Sequence, residues 1–578
     1  MISPEEKGES GIGVRPVVLA VCLTLFLLAT SCYIAIRLGS LPWPIIFSVI
    51  VSAGILKATS HFRGVSIHEA NVAQAGSTIG GLMASGVAFT IPGILFLRDN
   101  MGIDISMPDT WVLAAVCVFA GVLGVLLSIP LRRTFVDEEK LPYPSGAAGA
   151  EILKAQMKGG SNALIIAFVV LLAGIFALCR DILIPAGWTI SSLAPYGIYL
   201  TIMAMPLAIG IGYILGPRIA LNSWFTGSVA GWIIIIPILI ARDWLPGNTI
   251  SFVQNLGMGI VLGSGMGFFF TYVVPKIKKI FAPLFTRSGP WYFRASPILS
   301  IVSLFVLIAI GVPVLASVVA VLGVWMMATV AARMTGETNI DPLEQFGIIV
   351  GLAAIGLYSL LGMDLGYTGA FLIVTFVSVS AAISGDIGHD YKSAQIIGTR
   401  PTDIITVDMI CVIVAGLAAP FFLDIILTGY ADVLFTAQMP APQAQLVAGS
   451  IFGFAYPNAF YAGFGLAFVY EVAVRLLKKN PPASAMAFGI GMFLGLTLGI
   501  LLAVGGLIAY IVSSRYSGKA HTGVLVAAGL MGGEGIAGFL TPALFVGGMT
   551  MSGAQYSVLG AFVVCLLLAA VYVLWRRR

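Results

Sequence analysis

The stretch SAAISGDIGHDYKSAQIIGTRP, residues 380–401, concentrates ionisable side chains directly after an apolar run. These side chains are Asp386, His389, Asp390, Lys392 and Arg400. If the first turn is helical, the two aspartates and the histidine fall at i, i+3 and i+4 on one face, where they could share a proton or hold a cation. Gly385 and Gly388 argue against a stable helix, so a solvated loop with incidental charges is an equal alternative. A zinc site would need a fourth ligand that this spacing does not supply.

A second candidate is the stretch LPYPSGAAGAEILKA, residues 141–155. Its two prolines favour an extended backbone, after which Ser145 could cap a helix that opens with small residues such as Gly146. Exposed backbone amides at such a helix end suit an anionic group. Glu151 lies about one and a half turns inside the helix, with Lys154 at i+3 as a partner. If the segment is solvated this is an ordinary surface pair, and if it enters the membrane Glu151 is a proton or cation site.

Acidic residues also occur inside apolar runs, where each costs a few kcal/mol at mid-membrane unless it faces a cavity or a partner. They are Asp408, Asp424, Glu471 and Glu534. Asp424 and Glu471 lie near predicted helix ends, where they can reach water. Glu534 lies within GLMGGEGIAG, so its sequence neighbours offer no side chain to shield or pair it. We therefore predict Glu534 as a functional residue.

The composition places these groups in a membrane protein. Of the 578 residues, only 10% are charged and 59% are hydrophobic, against about 25% charged in soluble domains. Apolar runs near the length of about 20 residues that crosses a bilayer fill most of the chain, and no alternating pattern suggests a β-barrel. We predict an all-α polytopic membrane protein of about sixteen transmembrane helices, with re-entrant or broken segments and no soluble domain.

The predicted spans are 17–36, 44–58, 72–97, 111–130, 162–179, 197–216, 220–241, 252–274, 297–314, 316–333, 345–362, 366–384, 404–428, 457–476, 485–512 and 556–575. Residues 521–548 could form a span, a re-entrant hairpin or two half-helices. The first run lacks an Ala-x-Ala cleavage pattern, so we interpret it as a retained span and not a signal peptide.

Charge and cysteine content exclude other classes. The net charge is only +5, and the basic residues are scattered without interleaved aromatics, which argues against nucleic-acid binding. The six cysteines lie in or beside apolar runs without a CxxC pair, as packing residues do.

Basic residues predict the orientation. Most follow even-numbered spans, as do Arg133, Lys278 and Lys392, whereas the loop at 362–364 after an odd span carries an acid. The positive-inside rule therefore places the loops after even spans, and both termini, in the cytoplasm. Arg515 with Lys519 is the exception. The polar loops also fall at matching places if the chain is two eight-span halves, 1–295 and 296–578, although the shared fragments are short.

Several motifs resemble those of the oligopeptide transporter family, which also contains the yellow-stripe-like metal-chelate transporters. The segment GDIGHDYKSAQIIGTRP resembles the family's DLK-x-G-Y-x-x-G-x-x-P-R type of segment, and PLRRTFVDEEKLPYPSGAAGAEILKA (130–155) resembles its P-x-R-R…LPFP-x-G-x-A-x-A-E-x-L element. HEANVAQAGSTIGGLMASGVAFTIPG (68–93), which contains Glu69 and Asn71, is similar to its E-N-N-x-x-Q element, with Ala70 as a departure. The absence of an N-P-G triplet and of K-I-P-P-R places the chain nearer the prokaryotic and yellow-stripe-like members.

The resemblance implies a secondary active, proton-coupled transporter of short peptides or peptide-like metal chelates in the cytoplasmic membrane, with no enzymatic activity and no cofactor. No G-x-x-x-x-G-K-[ST] motif is present, so an ion gradient must supply the energy. The expected partners are the substrate, protons and the lipid bilayer, and a homodimer is one allowed assembly. A passive channel is an alternative, and an intramembrane aspartyl protease is a weaker one because Asp386 matches its G-x-G-D setting only in part.

The residues of the matching motifs are the candidates for substrate binding and coupling: Glu69, Asn71, Ser145, Gly146, Glu151, Asp386, His389, Asp390, Lys392, Arg400 and Glu534. We expect residues 386–400 to lie at the cytoplasmic mouth of the pathway, with Asp386 and Asp390 paired to Lys392 or Arg400.

Overall fold

The structure is a computed structural model that describes residues 8–39, 41, 44–58, 64–158, 162–183, 188–243, 248–276, 295–338, 341, 343–436, 438–477, 483–516, 518 and 520–545. The predicted span at 556–575 lies outside these residues, as do Lys278 and Lys519.

The first part of the described chain forms the helices α1 (Val14–Leu38), α2 (Pro44–Ala58), α3 (Ile67–Ala88), α4 (Pro92–Leu95), α5 (Thr110–Arg132), α6 (Pro144–Lys158), α7 (Asn162–Leu183), α8 (Pro206–Ile219), α9 (Thr226–Val229), α10 (Ile236–Arg242) and α11 (Thr249–Phe268). Short π-helical turns extend several of them, at Phe96–Asn100, Arg133–Glu138, Ala220–Phe225, Ala230–Ile235 and Phe269–Val273. The strands β1 (Trp188–Thr189) and β2 (Thr201–Ile202) pair antiparallel between α7 and α8.

The second part forms α12 (Ala295–Ala309), α13 (Val314–Thr338), α14 (Leu343–Leu360), α15 (Tyr367–Ile397), α16 (Pro401–Gly429), α17 (Pro442–Phe452), α18 (Pro457–Leu476), α19 (Ala485–Leu494), α20 (Leu496–Arg515) and α21 (Ala520–Phe545). Within the described ranges, eleven helical segments are long and apolar enough to cross a membrane, and several shorter apolar helices accompany them. The predicted all-α polytopic membrane fold is confirmed.

Two predicted spans are not single continuous helices. The predicted span 197–216 includes β2, and its helix begins only at Pro206, then continues into the predicted span 220–241 across a non-helical Gly216. The predicted span 485–512 is two helices, because Gly495 adopts φ 91° and interrupts the chain between α19 and α20. A positive φ of this kind suits glycine. The uncertain stretch from residue 521 is helical, within α21.

The glycines before Asp390 do not end the helix, so the predicted span end at residue 384 is wrong. Helix α15 continues to Ile397. A Cβ atom on Gly388 would lie 2.0 Å from the Tyr143 ring, and one on Gly385 would lie 2.7 Å from Asp341 Oδ2. Both glycines therefore serve close packing by neighbouring side chains inside a helix that the tertiary structure holds, which outweighs their low helix propensity.

The helices pack in two groups that alternate along the chain. The first group combines α1 to α3, α5 and α6 with α12 to α16, and the second combines α7, α8 and α11 with α18 to α21. Helix α21 also contacts α1, α2 and α16, so it lies along the seam between the groups. Each predicted half contributes to both groups. The duplication itself stays a prediction.

Segments assigned to the cytoplasm lie at one end of the fold. The backbone amide of Glu9 donates to the carbonyl of Gly398 (2.9 Å), and the Arg400 amide donates to the carbonyl of Glu9 (3.0 Å). Gln395 Nε2 donates to the carbonyl of Val136 (3.2 Å), in the turn that follows α5. The N-terminal segment and the ends of α5 and α15 are therefore neighbours, as the common side predicted for them requires.

We expect cysteines placed at Arg133 and Lys392 to be protected from an impermeant thiol reagent in intact cells and labelled after permeabilisation, because both follow even-numbered spans. The exposed native Cys179 is first replaced by serine. Asp364→Cys is the control, since it lies at the opposite end of α15 and should be labelled in intact cells. Labelling of Arg133→Cys or Lys392→Cys from outside would reverse the orientation.

Candidate functional site

A tight turn before α6 brings the LPYPSG segment onto α13 and α15. Lys140 and Tyr143 adopt positive φ angles of 54° and 40°. This conformation costs a non-glycine residue free energy, and it persists only where the surrounding structure holds it. The Tyr143 amide donates to the carbonyl of Gly336 (2.9 Å), and its hydroxyl donates to the carbonyl of Ala332 (2.7 Å). These bonds hold the turn against α13.

Helix α6 begins at Pro144, so the N-cap position is Tyr143 and the prediction that Ser145 holds it is wrong by two positions. Proline suits the first position of a helix, because its missing N–H would have no helical acceptor there.

Gly146 and His389 join this turn to α15. The Gly146 amide donates to His389 Nδ1 at 3.2 Å, so Nδ1 acts as an acceptor and the neutral imidazole carries its proton on Nε2. His389 Nε2 lies 3.9 Å from Asp386 Oδ1, and the Tyr143 ring packs edge-on against the imidazole. The predicted grouping of Asp386, His389 and Asp390 on one helix face is confirmed as helical geometry.

We expect Gly146→Ala to lower the free energy of unfolding by about 1–3 kcal/mol or more, the usual range for overpacking a tight contact. The added Cβ would lie 2.1 Å from the carbonyl oxygen of His389, a backbone atom that cannot move alone. The measurement is thermal unfolding of purified protein in detergent. Gly465→Ala is the control, because its Cβ would have no atom within 4 Å, and equal melting of both variants would contradict the contact.

Asp390 is buried between α15 and α3. Gln74 Nε2 donates to its Oδ1 at 2.7 Å, and Thr78 Oγ1 donates to its Oδ2 at 3.0 Å, while the residue is only 1% exposed. Neutral donors therefore solvate this carboxyl group. In the part of the chain that the structure describes, no lysine or arginine forms an ion pair with Asp386 or Asp390.

Asn71 continues this polar contact between α3 and α15. Its Oδ1 accepts from Ser393 Oγ (2.6 Å), and its Nδ2 donates to Thr399 Oγ1 (3.1 Å). Glu69 is not part of it: its carboxylate accepts from the Ser66 amide (3.3 Å), and the two residues form a capping box at the start of α3. Glu69 therefore helps to start α3, and its role in substrate binding or coupling stays a prediction.

The predicted ion pairs with Lys392 and Arg400 are wrong. Lys392 Nζ donates to Gln395 Oε1 on an exposed face (3.2 Å), and Arg400 Nε donates to the carbonyl of Gly8 (3.1 Å). Lys392 lies two residues beyond Asp390 on α15, which turns it away from the buried carboxyl, since neighbours on a helix face are three or four residues apart. Arg400 instead holds the N-terminal segment.

Asp403 fixes the same N-terminal segment. Its Oδ2 accepts from Ser10 Oγ (2.8 Å) and from the amides of Gly11 (2.8 Å) and Ile12 (3.2 Å). The segment therefore closes the end of the fold at which α15 and α16 meet, next to the polar contact of Asn71.

Asp341 adds an acid that the sequence pattern did not identify. It lies between α13 and α14 beside Gly385, and neither carboxylate oxygen has a hydrogen-bond partner among the described residues. Burial, then the negative charges of Asp386 and Glu344, raise the pKa of Asp341 well above its usual range. It extends the group of acids formed by Asp386 and Asp390 towards the α13–α14 connection. Its position after the small polar run GETNI gave no signal of burial.

Glu534 has a partner that lies far from it in the sequence. Arg180 Nη1 donates to Glu534 Oε1 (2.7 Å) and to the carbonyl of Ala204 (2.9 Å), and the Leu207 amide at the start of α8 donates to Glu534 Oε2 (2.8 Å). The side chains of Glu534 and Arg180 are 0% and 7% exposed. One ion pair thus joins α7, α8 and α21. The only signal for Arg180 was a basic residue at the end of an apolar run.

Glu151 does not lie in the interior, where we expected a coupling residue. Its side chain is 69% exposed and accepts from Lys154 Nζ at 3.0 Å, the predicted i,i+3 pair. The solvated alternative is therefore the one that the structure supports. Among the described residues, no three histidine, cysteine or acidic side chains group in a way that could hold a metal ion.

The sequence matches known proteins over most of its length. The family model described as "OPT oligopeptide transporter protein" matches residues 12–275 and 288–545. A protein of Haemophilus influenzae named "Putative oligopeptide transporter" is 25% identical over 608 aligned positions, which cover 90% of this chain and 94% of the relative. The family match includes both helix groups, the turn at Gly146, the buried acids of α15 and the ion pair of Glu534. The chain therefore belongs to the OPT oligopeptide transporter family.

Proposed function

We propose that the protein is a proton-coupled secondary transporter that carries short peptides or peptide-like metal chelates across the cytoplasmic membrane. Membership of the OPT family supports a peptide-like substrate, as does the name of the relative from Haemophilus influenzae. The sequence has no phosphate-binding G-x-x-x-x-G-K-[ST] motif, which favours an ion gradient as the source of energy.

The observation that carries this proposal is the seam between the two helix groups at α21. A Cβ atom on Gly538 would lie 2.3 Å from the Tyr33 ring of α1, and one on Gly533 would lie 2.4 Å from the carbonyl oxygen of Val170 in α7. Glycine thus lets α21 approach both groups closely. Many secondary transporters bind substrate where two helix groups meet and expose the site alternately by moving one group against the other.

The charges at this seam suit a substrate with both charge signs. Arg180 and Glu534 lie within the second group on the α21 side, and the start of α8 directs the Leu207 amide at the same carboxylate. A peptide carries a carboxylate and an ammonium group, and amino-acid-like chelators of metal ions carry the same groups. If movement of the two groups opens this ion pair, Arg180 and Glu534 could exchange each other for the two charged groups of the substrate, because hydrogen bonds between charged groups are stronger than those between neutral groups.

The test is a thermal-shift screen of the purified protein against tri- to pentapeptides, free metal ions, and complexes of those ions with amino-acid-like chelators. A ligand that binds the folded state raises the free energy of unfolding, by about 2.7 kcal/mol when its concentration is a hundred times its Kd. The melting temperature rises accordingly. We expect stabilisation by a peptide or a chelate. Stabilisation by free metal ions alone would contradict the proposed substrate class.

A further inference from the structure

Helix α3 brings the carboxyl groups of α15 and α16 together. Gln74 and Thr78 both donate hydrogen bonds to Asp390 of α15. Between them, a Cβ atom on Gly76 would lie 2.6 Å from Val407 and 2.8 Å from Cys411, both on α16. The same turn of α3 thus contacts Asp390 and the residues on either side of Asp408.

Asp408 is a fully buried acid without a donor. It is 0% exposed, and neither of its carboxylate oxygens has a hydrogen-bond partner among the described residues. Gln74 is 1% exposed and bonds Asp390 through its nitrogen, while its Oε1 also has no partner there. An ionised carboxylate without donors is costly to bury. A protonated carboxyl group could instead donate a hydrogen bond from its O–H to an acceptor such as Gln74 Oε1.

The charged groups near Asp408 do not neutralise a negative charge on its carboxyl group. Asp390 is close enough to Asp408 for the two carboxylates to repel each other, and Asp386 adds a further negative charge on α15. Tyr391 bonds Ser128 of α5 and is also near Asp408.

Arg132, the cation that lies near the Tyr391 ring, is already paired. Arg132 of α5 lies 5.8 Å from the Tyr391 ring centroid, but its Nη2 donates to Asp137 Oδ2 at 2.8 Å. On α16 itself, the titratable residue one turn from Asp408 is Cys411, whose thiol is buried. Two buried carboxyl groups with only neutral donors share a proton more favourably than they hold two charges.

We infer that Asp390 and Asp408 bind one proton between them, with Gln74 and Thr78 as their polar partners, and that this proton is the ion coupled to transport. The coupling of this proton to transport rests on the proposed function, whereas the sharing of the proton by the two carboxyl groups does not. Proton binding converts one carboxylate into a carboxylic acid whose O–H has the other carboxylate and Gln74 Oε1 as acceptors. Proton release restores the repulsion between α15 and α16, where α3 contacts both.

The experiment is infrared titration of the purified parent protein in lipid bilayers without substrate, following the C=O stretch of protonated carboxyl groups and its shift in D₂O. We expect a band that disappears in Asp408→Asn and in Asp390→Asn. Asp424→Asn is the control on the same helix, because Asp424 lies about four turns away near the end of α16 and should leave the band intact. A band that persists in both Asp408→Asn and Asp390→Asn, or that never appears in the parent, would overturn the shared proton.

A second variant keeps the test valid if the substitutions at the acids prevent folding. Gln74→Leu retains both carboxyl groups but removes a hydrogen-bond partner, so the band should shift in frequency, and an unshifted band would overturn the proposed pair.

Coupling of the proton to transport is measured separately, as substrate uptake into vesicles. Asp408→Asn should lose uphill uptake while retaining substrate exchange, and uphill accumulation at the parent level would remove this proton from the coupling mechanism even if the infrared band is present.

Discussion

Glu534→Gln is expected to lower the free energy of unfolding by about 3–5 kcal/mol, the usual cost of removing one partner of a buried ion pair. The variant leaves the Arg180 guanidinium buried opposite a neutral amide, and it weakens the bond from the Leu207 amide that joins α8 to α21. Denaturant unfolding in detergent measures the loss.

Glu151→Gln is the matched control, because Glu151 belongs to an exposed ion pair with Lys154. Exposed pairs contribute only about 0–1 kcal/mol, so this variant should unfold like the parent. Arg180→Gln combined with Glu534→Gln should be less destabilised than the sum of the single variants, since no unpaired charge remains. Equal stability of Glu534→Gln and Glu151→Gln would show that the pair does not hold these helices together.

Asp390→Asn should abolish uphill uptake of substrate, whereas Lys392→Gln should leave it nearly unchanged. The structure separates these neighbours, because Asp390 accepts from Gln74 and Thr78 in the interior and Lys392 donates to Gln395 on an exposed face. A loss of at least tenfold in the accumulation ratio corresponds to about 1.4 kcal/mol. The measurement is the steady-state ratio of internal to external substrate in vesicles with an imposed pH gradient.

Both variants must first reach the membrane in parental amounts and retain the parental melting temperature within error. Strong loss of uptake in Lys392→Gln, with rescue by a charge reversal that also includes Asp386 or Asp390, would restore the ion pairs expected from the sequence. Parental accumulation by Asp390→Asn would remove the buried acid from the coupling mechanism.

Helix type and membrane class follow from the sequence because apolar runs of about 20 residues have few other stable structures in lipid. Helix ends follow less well where glycine is ambiguous. Gly385 and Gly388 predicted a break but accommodate Asp341 and Tyr143 inside α15, whereas Gly495 breaks a run that looked continuous. The tertiary neighbours of each glycine decide between close packing and a positive φ, and the local sequence does not show those neighbours.

The candidate site was predictable in its residues but not in its partners. Asp386, His389 and Asp390 were recognisable from their spacing and from the family motif. Asp408 was recognisable only as an acid inside an apolar run. Gln74 and Thr78 gave no local signal, because Gln74 bonds Asp390 across 316 positions of the sequence. Arg180 lies 354 positions from Glu534. Long-range partners of this kind depend on which helices pack together, and periodicity within one run carries no information about that packing.

The most direct test of proton-coupled transport is uptake of the best ligand from the thermal-shift screen into sealed vesicles that contain the purified protein, with the lumen alkaline and the exterior acidic. We predict that substrate accumulates above its external concentration and that the pH of the lumen falls only when substrate is present. Addition of a protonophore should abolish the accumulation. The Asp408→Asn variant should exchange substrate without accumulating it. Equilibration to the external concentration, at the same rate with and without the protonophore, would contradict proton coupling and identify a passive pathway.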